Sequence, residues 1–216
     1  MSVTDDELDM ADRIRDTLDS PATQRINFFV GTQHIDSQGF QQVSRAILKW
    51  LWGFREGVAV EIGETSKSAA PAQYLYKDDR FTFVIATFGR TPDQRGAMVH
   101  ECVHAMIDIQ RGSPGFTQPM NEAAAYIAGA LYFIYATGRP IDPATQHRLA
   151  QPSYAKANQI ALAISDKPGA AVADVDTIQL VNAVVQNPTY SNIRRSTPVW
   201  ANGIFDPTYL FPRFRR

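Results

Sequence analysis

The chain has 216 residues, 44% of them hydrophobic and 20% charged, the balance of an ordinary folded protein rather than a disordered one. Its 21 basic and 22 acidic side chains leave a formal net charge of -1, which provides no electrostatic footprint for nucleic acid or an anionic membrane. A single cysteine, Cys102, excludes an intrachain disulfide, and no stretch approaches the roughly 20 apolar residues of a membrane span.

Taken in chain order, residues 4–19 read as an acidic amphipathic helix carrying Leu8, Ile14 and Leu18 and stopped by Ser20-Pro21. The acidic start lacks the basic and apolar runs of a secretory signal, so the expected location is cytoplasmic, or exported without a conventional signal. Gln24 to Val30 reads as a short strand closed by Gly31. Gln38 to Trp52 is expected to be a helix, with Val43, Ile47, Leu48 and Leu51 at helical spacing and Gly53 as its stop. Val58 to Ile62 is a second strand, 63–73 a loop of small and polar residues, and Arg80 to Phe88 the clearest strand.

Thr91-Pro92-Asp93-Gln94 carries the marks of a helix start: a threonine cap, proline in the first turn and glutamine completing a capping box. The helix is expected to run to about Gln110 and end at Gly112. After a loop to Pro119, another helix should span about Gln118 to Thr137, stopped by Gly138. Helical patterning returns at Pro143 to Ile164 and at Val175 to Val185. From Gln186 on, prolines and aromatics suggest irregular chain packed on the body. No repeat or linker divides the sequence, so residues 1–216 are read as one domain.

Within the capped helix, His100-Glu101-Cys102-Val103-His104 matches H-E-x-x-H. Residues four apart on a helix differ by only about 40° around its axis, so both imidazoles leave from one face and can share one metal ion. The intervening glutamate is then placed to take a proton from a water beside the metal. Val99, Cys102, Val103 and Met106 form the apolar face of this helix; Ala97, His100, Glu101, His104 and Asp108 gather towards the other. A buried Cys102 argues against a catalytic thiol. The alternative for the histidines is a pair of surface side chains on an amphipathic helix.

Asn121-Glu122-Ala123-Ala124-Ala125-Tyr126 opens the next helix, and Glu122 is the only acid between Asp108 and Asp142. A turn between the two helices would pack them side by side, with Ala123–Ala125, Ala128, Gly129 and Ala130 permitting close approach. Glu122 is thus the candidate third ligand; otherwise it is a helix-start glutamate favoured by the helix dipole. The strand preceding the capped helix is expected to lie beside the cleft and hold an extended peptide through its backbone. Asp108 either accepts the second N–H of an imidazole or is a solvated or helix-capping acid. Tyr126 and His147 are candidate donors to a developing oxyanion, against the alternatives of a packed tyrosine and a surface histidine. His34 has no partner motif and is read as structural.

At these residues the chain resembles the gluzincin group of zinc metallopeptidases, over roughly Phe81 to Tyr135. The resemblance implies Zn2+ bound by His100, His104 and Glu122, Glu101 as catalytic acid and base, and a peptide or protein substrate. It implies a mostly helical α+β fold of the compact zincin type, with a small sheet beside the active-site helix. Ile107 and Gln110 stand where a metzincin would have glycine and a third histidine, and Tyr126 stands where gluzincins extend the glutamate motif differently. Two other readings remain open at this point: a catalytically silent zincin-like binding domain, and an exported effector or toxin peptidase. Nothing in the sequence addresses oligomeric state.

Overall fold

A computed structural model describes residues 3–54, 56–65, 70–141, 151–190 and 192–199. The first helix, α1 (Asp5–Asp19), starts with a complete capping box in which Thr4 and Glu7 satisfy each other's backbone N–H groups. Ser20 then caps the short α2 (Pro21–Gln24), so the predicted stop is the start of a second turn of helix. Strands β1 (Asn27–Val30) and β2 (Gln33–Asp36) form a hairpin closed by Gly31, whose φ of +56° suits glycine. Asp36 caps α3 (Ser37–Leu51) by accepting from the Gly39 N–H, and Gly53 at φ +80° ends it.

A second sheet follows, built from β3 (Ala59–Ile62), β4 (Ala72–Leu75) and β5 (Arg80–Phe83) in the order β3-β5-β4. β3 runs parallel to β5 and β4 antiparallel to it. Three sequence expectations are corrected here. The clear strand ends at Phe83 instead of Phe88, because Arg13 of α1 holds the following turn by donating to the carbonyls of Ala86 and Phe88 at 2.8 and 2.9 Å. The expected loop at 63–73 gives way at Ala72 to β4, which Pro71 and its small neighbours conceal in the sequence. β5 is the central strand, so the edge strand packed beside the H-E-x-x-H helix is β4.

The long helices α4 (Pro92–Gln110) and α5 (Gln118–Thr137) lie at the centre and make the most extensive helix–helix contact. α4 buries Val99, Cys102, Val103 and Met106, the face that periodicity predicted, together with Met98, against α1 and α3. α3 approaches α4 so closely that a Cβ on Gly39 would stand 2.5 Å from the Met106 sulfur. On its other side α5 is covered by α6 (Pro152–Ile164) and α7 (Asp174–Gln186), which explains why it is apolar almost all round. Between these two helices, β6 (Ala170–Ala171) joins β1 in parallel. A single 3-10 turn, Pro188–Tyr190, follows α7. The predicted helix from Pro143 is described only from Pro152 onward; 142–150 lie outside the described residues. The fold is α+β and mostly helical. No helix among the described residues is long and apolar enough to cross a membrane.

Candidate metal centre

α4 and α5 cross where neither carries a side chain. A Cβ on Gly129 would lie 2.8 Å from the Gly96 carbonyl oxygen, and one on Gly96 would lie 3.0 Å from the Gly129 oxygen. The same Cβ on Gly129 would lie 3.7 Å from the Cβ of His100. This contact brings the second turn of α5 against the middle of α4. α5 begins at Gln118, whose N–H donates to the Thr197 carbonyl at 2.8 Å, while Thr117 pairs with Pro198. Backbone of the C-terminal segment, instead of a side-chain cap, therefore sets the start of this helix.

The result is a triangle of donor atoms. The Nε2 atoms of His100 and His104 are 3.2 Å apart, and Oε2 of Glu122 is 3.5 Å from each. Four ligands arranged tetrahedrally about zinc at its usual 2.0–2.1 Å bond length stand about 3.3–3.4 Å apart, so the three atoms fit three corners of such a site. Oε2 of Glu122 is buried and has no hydrogen-bond partner among the described residues, the condition expected of a ligand atom reserved for a cation. Glu101 adjoins the triangle, with Oε1 4.0 Å from His100 Nε2. His100, Glu101 and His104 also form a group whose ligand atoms all lie within 4.8 Å of one another.

Neighbouring groups set the orientation of each member. Asn121 donates its amide to the Tyr76 hydroxyl, which turns its carbonyl oxygen towards His104 to accept Nδ1–H at 2.9 Å. That bond fixes the tautomer and leaves the His104 Nε2 lone pair facing the triangle. His100 is held differently, by the edge-on ring of Tyr126 at 4.7 Å between centroids. Oε2 of Glu101 accepts the Tyr74 N–H of β4 at 2.8 Å. Tyr74 also donates its hydroxyl to Asp108 at 2.9 Å. Asp108 is fully buried, so it is not a solvated acid; the imidazole-orienting position considered for it is filled at His104 by Asn121.

Charges in this pocket act on one another. Burial alone would raise the Glu122 pKa, but the charge of His104 and contacts with both imidazoles hold it well below the usual carboxylate value. Burial likewise acts to lower His104, and the carboxylates of Glu122 and Glu101 with Asn121 override it, leaving the imidazole above its ordinary value. Burial pushes the Cys102 thiol well up, as its place on the inner face of α4 requires. The donor triangle opens on one side into a cleft of about 1470 Å³, lined by β4, by the cleft faces of α4 and α5, and by aromatic and apolar residues including Tyr76, Phe133, Tyr154 and Tyr190.

The sequence-predicted residues are thus distributed as follows. His100, Glu101, His104 and Glu122 come together. Tyr126 lines the same cleft, but its hydroxyl pairs with that of Tyr190 at 2.9 Å. His147 lies outside the described residues. His34 stacks on Phe29 and bonds Asn27 in the β1–β2 hairpin, a structural place. Asn121 was visible only as the residue before Glu122. Tyr190 and the backbone of Tyr74 had no signal at all, since a tyrosine in an aromatic-rich tail and an unrecognised strand announce nothing. Comparisons with known protein families, curated proteins and solved structures match nothing in this chain.

Proposed function

We propose that the protein is a zinc-dependent hydrolase that cleaves peptide bonds, with His100, His104 and Glu122 as metal ligands and Glu101 as general base. The observation that carries this reading is the donor triangle with edges of 3.2, 3.5 and 3.5 Å beside a free-standing carboxylate oxygen of Glu101. Three protein ligands and an open side are the pattern of catalytic zinc, whereas structural zinc is closed by four. The cleft supplies that open side, which favours hydrolysis over a purely structural or binding role.

Zinc, when bound, contributes Lewis acidity that makes water nucleophilic near neutral pH and polarises a carbonyl. The chain's own residues do the remaining work. Glu101 is anchored through Oε2 by the Tyr74 N–H, so Oε1 is the oxygen positioned to receive a proton from the attacking water and pass it to the departing amine. Asn121 keeps His104 in the tautomer that offers Nε2, and Tyr126 restricts the ring of His100. The resemblance to gluzincins supports the same assignment of roles. A peptide or protein is the corresponding substrate.

The test combines metal content with hydrolysis of a broad peptide library, with and without chelator. About one zinc per chain and chelator-sensitive cleavage are expected. Glu101→Gln should retain the metal and lose cleavage. Full zinc loading that persists unchanged in Glu122→Ala would overturn the ligand assignment, and cleavage that survives in Glu101→Gln would overturn the role of the base.

A further inference from the structure

Asp108 is a buried acid that the hydrolytic scheme leaves without a task. Its Oδ2 accepts the Tyr74 hydroxyl at 2.9 Å, and the N–H of the same tyrosine donates to Glu101 Oε2 at 2.8 Å. Glu101 and Asp108 stand seven residues apart on α4. That is nearly two turns, so they leave from one face, about 10 Å apart along the axis. Tyr74 therefore meets the helix at two points, its backbone at the base and its phenol two turns further on. Its ring packs against Tyr76 and Phe81, at 5.2 and 5.1 Å between centroids. Asp108 is 0% and Tyr74 3% exposed, so water does not compete freely for the bond between them. Burial and the charge of Asp108 push the phenol pKa well up, which keeps the hydroxyl a donor.

Sheet geometry explains why this N–H is available. Residues of an antiparallel strand alternate between bonding the neighbouring strand and facing away from it. The Val84 N–H donates to the Pro71 carbonyl, and the register pairs Gln73 with Thr82 and Leu75 with Arg80. Gln73 and Leu75 thus bond β5, while the Tyr74 N–H points to the free edge of β4, where α4 lies. The terminal torsion of a glutamate has broad wells, so its carboxylate turns unless a partner holds one oxygen. We propose that Tyr74 and Asp108 are positioning residues for the general base. The Asp108 carboxylate fixes the phenol, and the Tyr74 N–H so placed holds Glu101 Oε2 and leaves Oε1 on the metal side. This inference rests on the reading of Glu101 as base. An edge strand held by its backbone alone can slide along a neighbouring helix, and the second attachment two turns away removes that freedom.

Amide hydrogen exchange in the chelated protein, read by NMR, and peptide cleavage by the zinc-loaded protein test this. Glu101→Ala should speed exchange of the Tyr74 amide at least about tenfold, the loss of one hydrogen bond to a charged group. Tyr74→Phe should speed exchange at residue 74 in the same way and leave the Gln73 and Leu75 amides, bonded to β5, unchanged. A phenol that merely filled space would, on removal, speed all three together. Asp108→Asn, whose amide oxygen can still accept from the phenol, should lose less protection than Tyr74→Phe. For a peptide that the parent cleaves, Tyr74→Phe should lower kcat about 10–100-fold with KM unchanged, because a misplaced base acts on the transition state. Its zinc affinity should match the parent, since the clamp acts on the base and not on a ligand. Unchanged exchange at residue 74 in Tyr74→Phe, or an unchanged kcat, would overturn the positioning role and leave the hydrolase reading intact. A zinc-loaded parent that cleaves no peptide would overturn both.

Discussion

Substituting Gly129 by alanine tests whether the α4–α5 crossing sets the metal centre. The new Cβ would stand 2.8 Å from the Gly96 carbonyl oxygen, a backbone atom that cannot swing aside. Reaching ordinary contact at 3.4 Å requires the crossing to open by about 0.6 Å. Metal sites tolerate departures of only about 0.2 Å from their preferred distances, so an opening of this size between Gly129 and the turn of His100 is too large to absorb. Overpacking of this kind costs about 1–3 kcal/mol, while alanine in place of glycine inside a helix returns up to about 1 kcal/mol. Global stability should therefore fall by no more than about 3 kcal/mol, and zinc affinity should fall at least tenfold, the lower end for a disturbed ligand shell. Gly39→Ala is the control: its Cβ meets the Met106 side chain at 2.5 Å on the opposite face of α4. It should lower stability without weakening zinc binding. Urea unfolding of the chelated proteins and zinc competition in parallel provide both quantities. Zinc affinity in Gly129→Ala within twofold of the parent would refute the argument that this crossing sets the ligand spacing.

Asn121→Ala removes the acceptor of His104 Nδ1–H and should weaken zinc binding about 10–100-fold, measured by the same competition, with little change in the far-UV circular dichroism. pH dependence should differ in sign between metal-free and zinc-loaded protein. A histidine raised above 6.5, as His104 is, contributes stability that is complete below 6.5 and is lost as the pH climbs through its folded value. Glu122, held below 4.5, contributes stability present above 4.5 and lost as the pH falls through its folded value. This pair thus stabilises the chelated protein most between pH 4.5 and 6.5 and progressively less towards pH 8. Zinc needs neutral imidazoles, so its stabilising effect should grow over the same rise in pH. Thermal melts from pH 5 to 8 with chelator and with zinc check this; curves that stay parallel would contradict it.

Much of the site was legible because its defining features are local. The H-E-x-x-H helix carries its own cap, its own apolar stripe and both histidines, and each depends on neighbours within a turn or two. The Thr91–Gln94 capping box and the burial of Val99, Cys102, Val103 and Met106 follow directly. α5 was equally legible between Gln118 and Gly138, where its residues stop being apolar and small. The strands were less so. β2, with His34 and Asp36, and β4, following Pro71, take their extended form from pairing partners instead of intrinsic preference. The end of β5 was set by Arg13, a residue of α1 far away in sequence.

Within one helix, the sequence by itself determined that His100, Glu101 and His104 leave from one face, because the rise and twist of an α-helix are the same everywhere. It also determined that Glu122 was the only acid at hand for a third ligand. Whether Glu122 reaches the histidines depends on how closely two helices cross, and that close crossing, which a Cβ on Gly129 would block by standing 2.8 Å from the Gly96 carbonyl oxygen, is a property of the packed pair. The tertiary structure likewise decided that Tyr74 of β4 anchors Glu101 and that the Tyr126 hydroxyl meets that of Tyr190. Such contacts join residues far apart along the chain, and no periodicity or spacing encodes them.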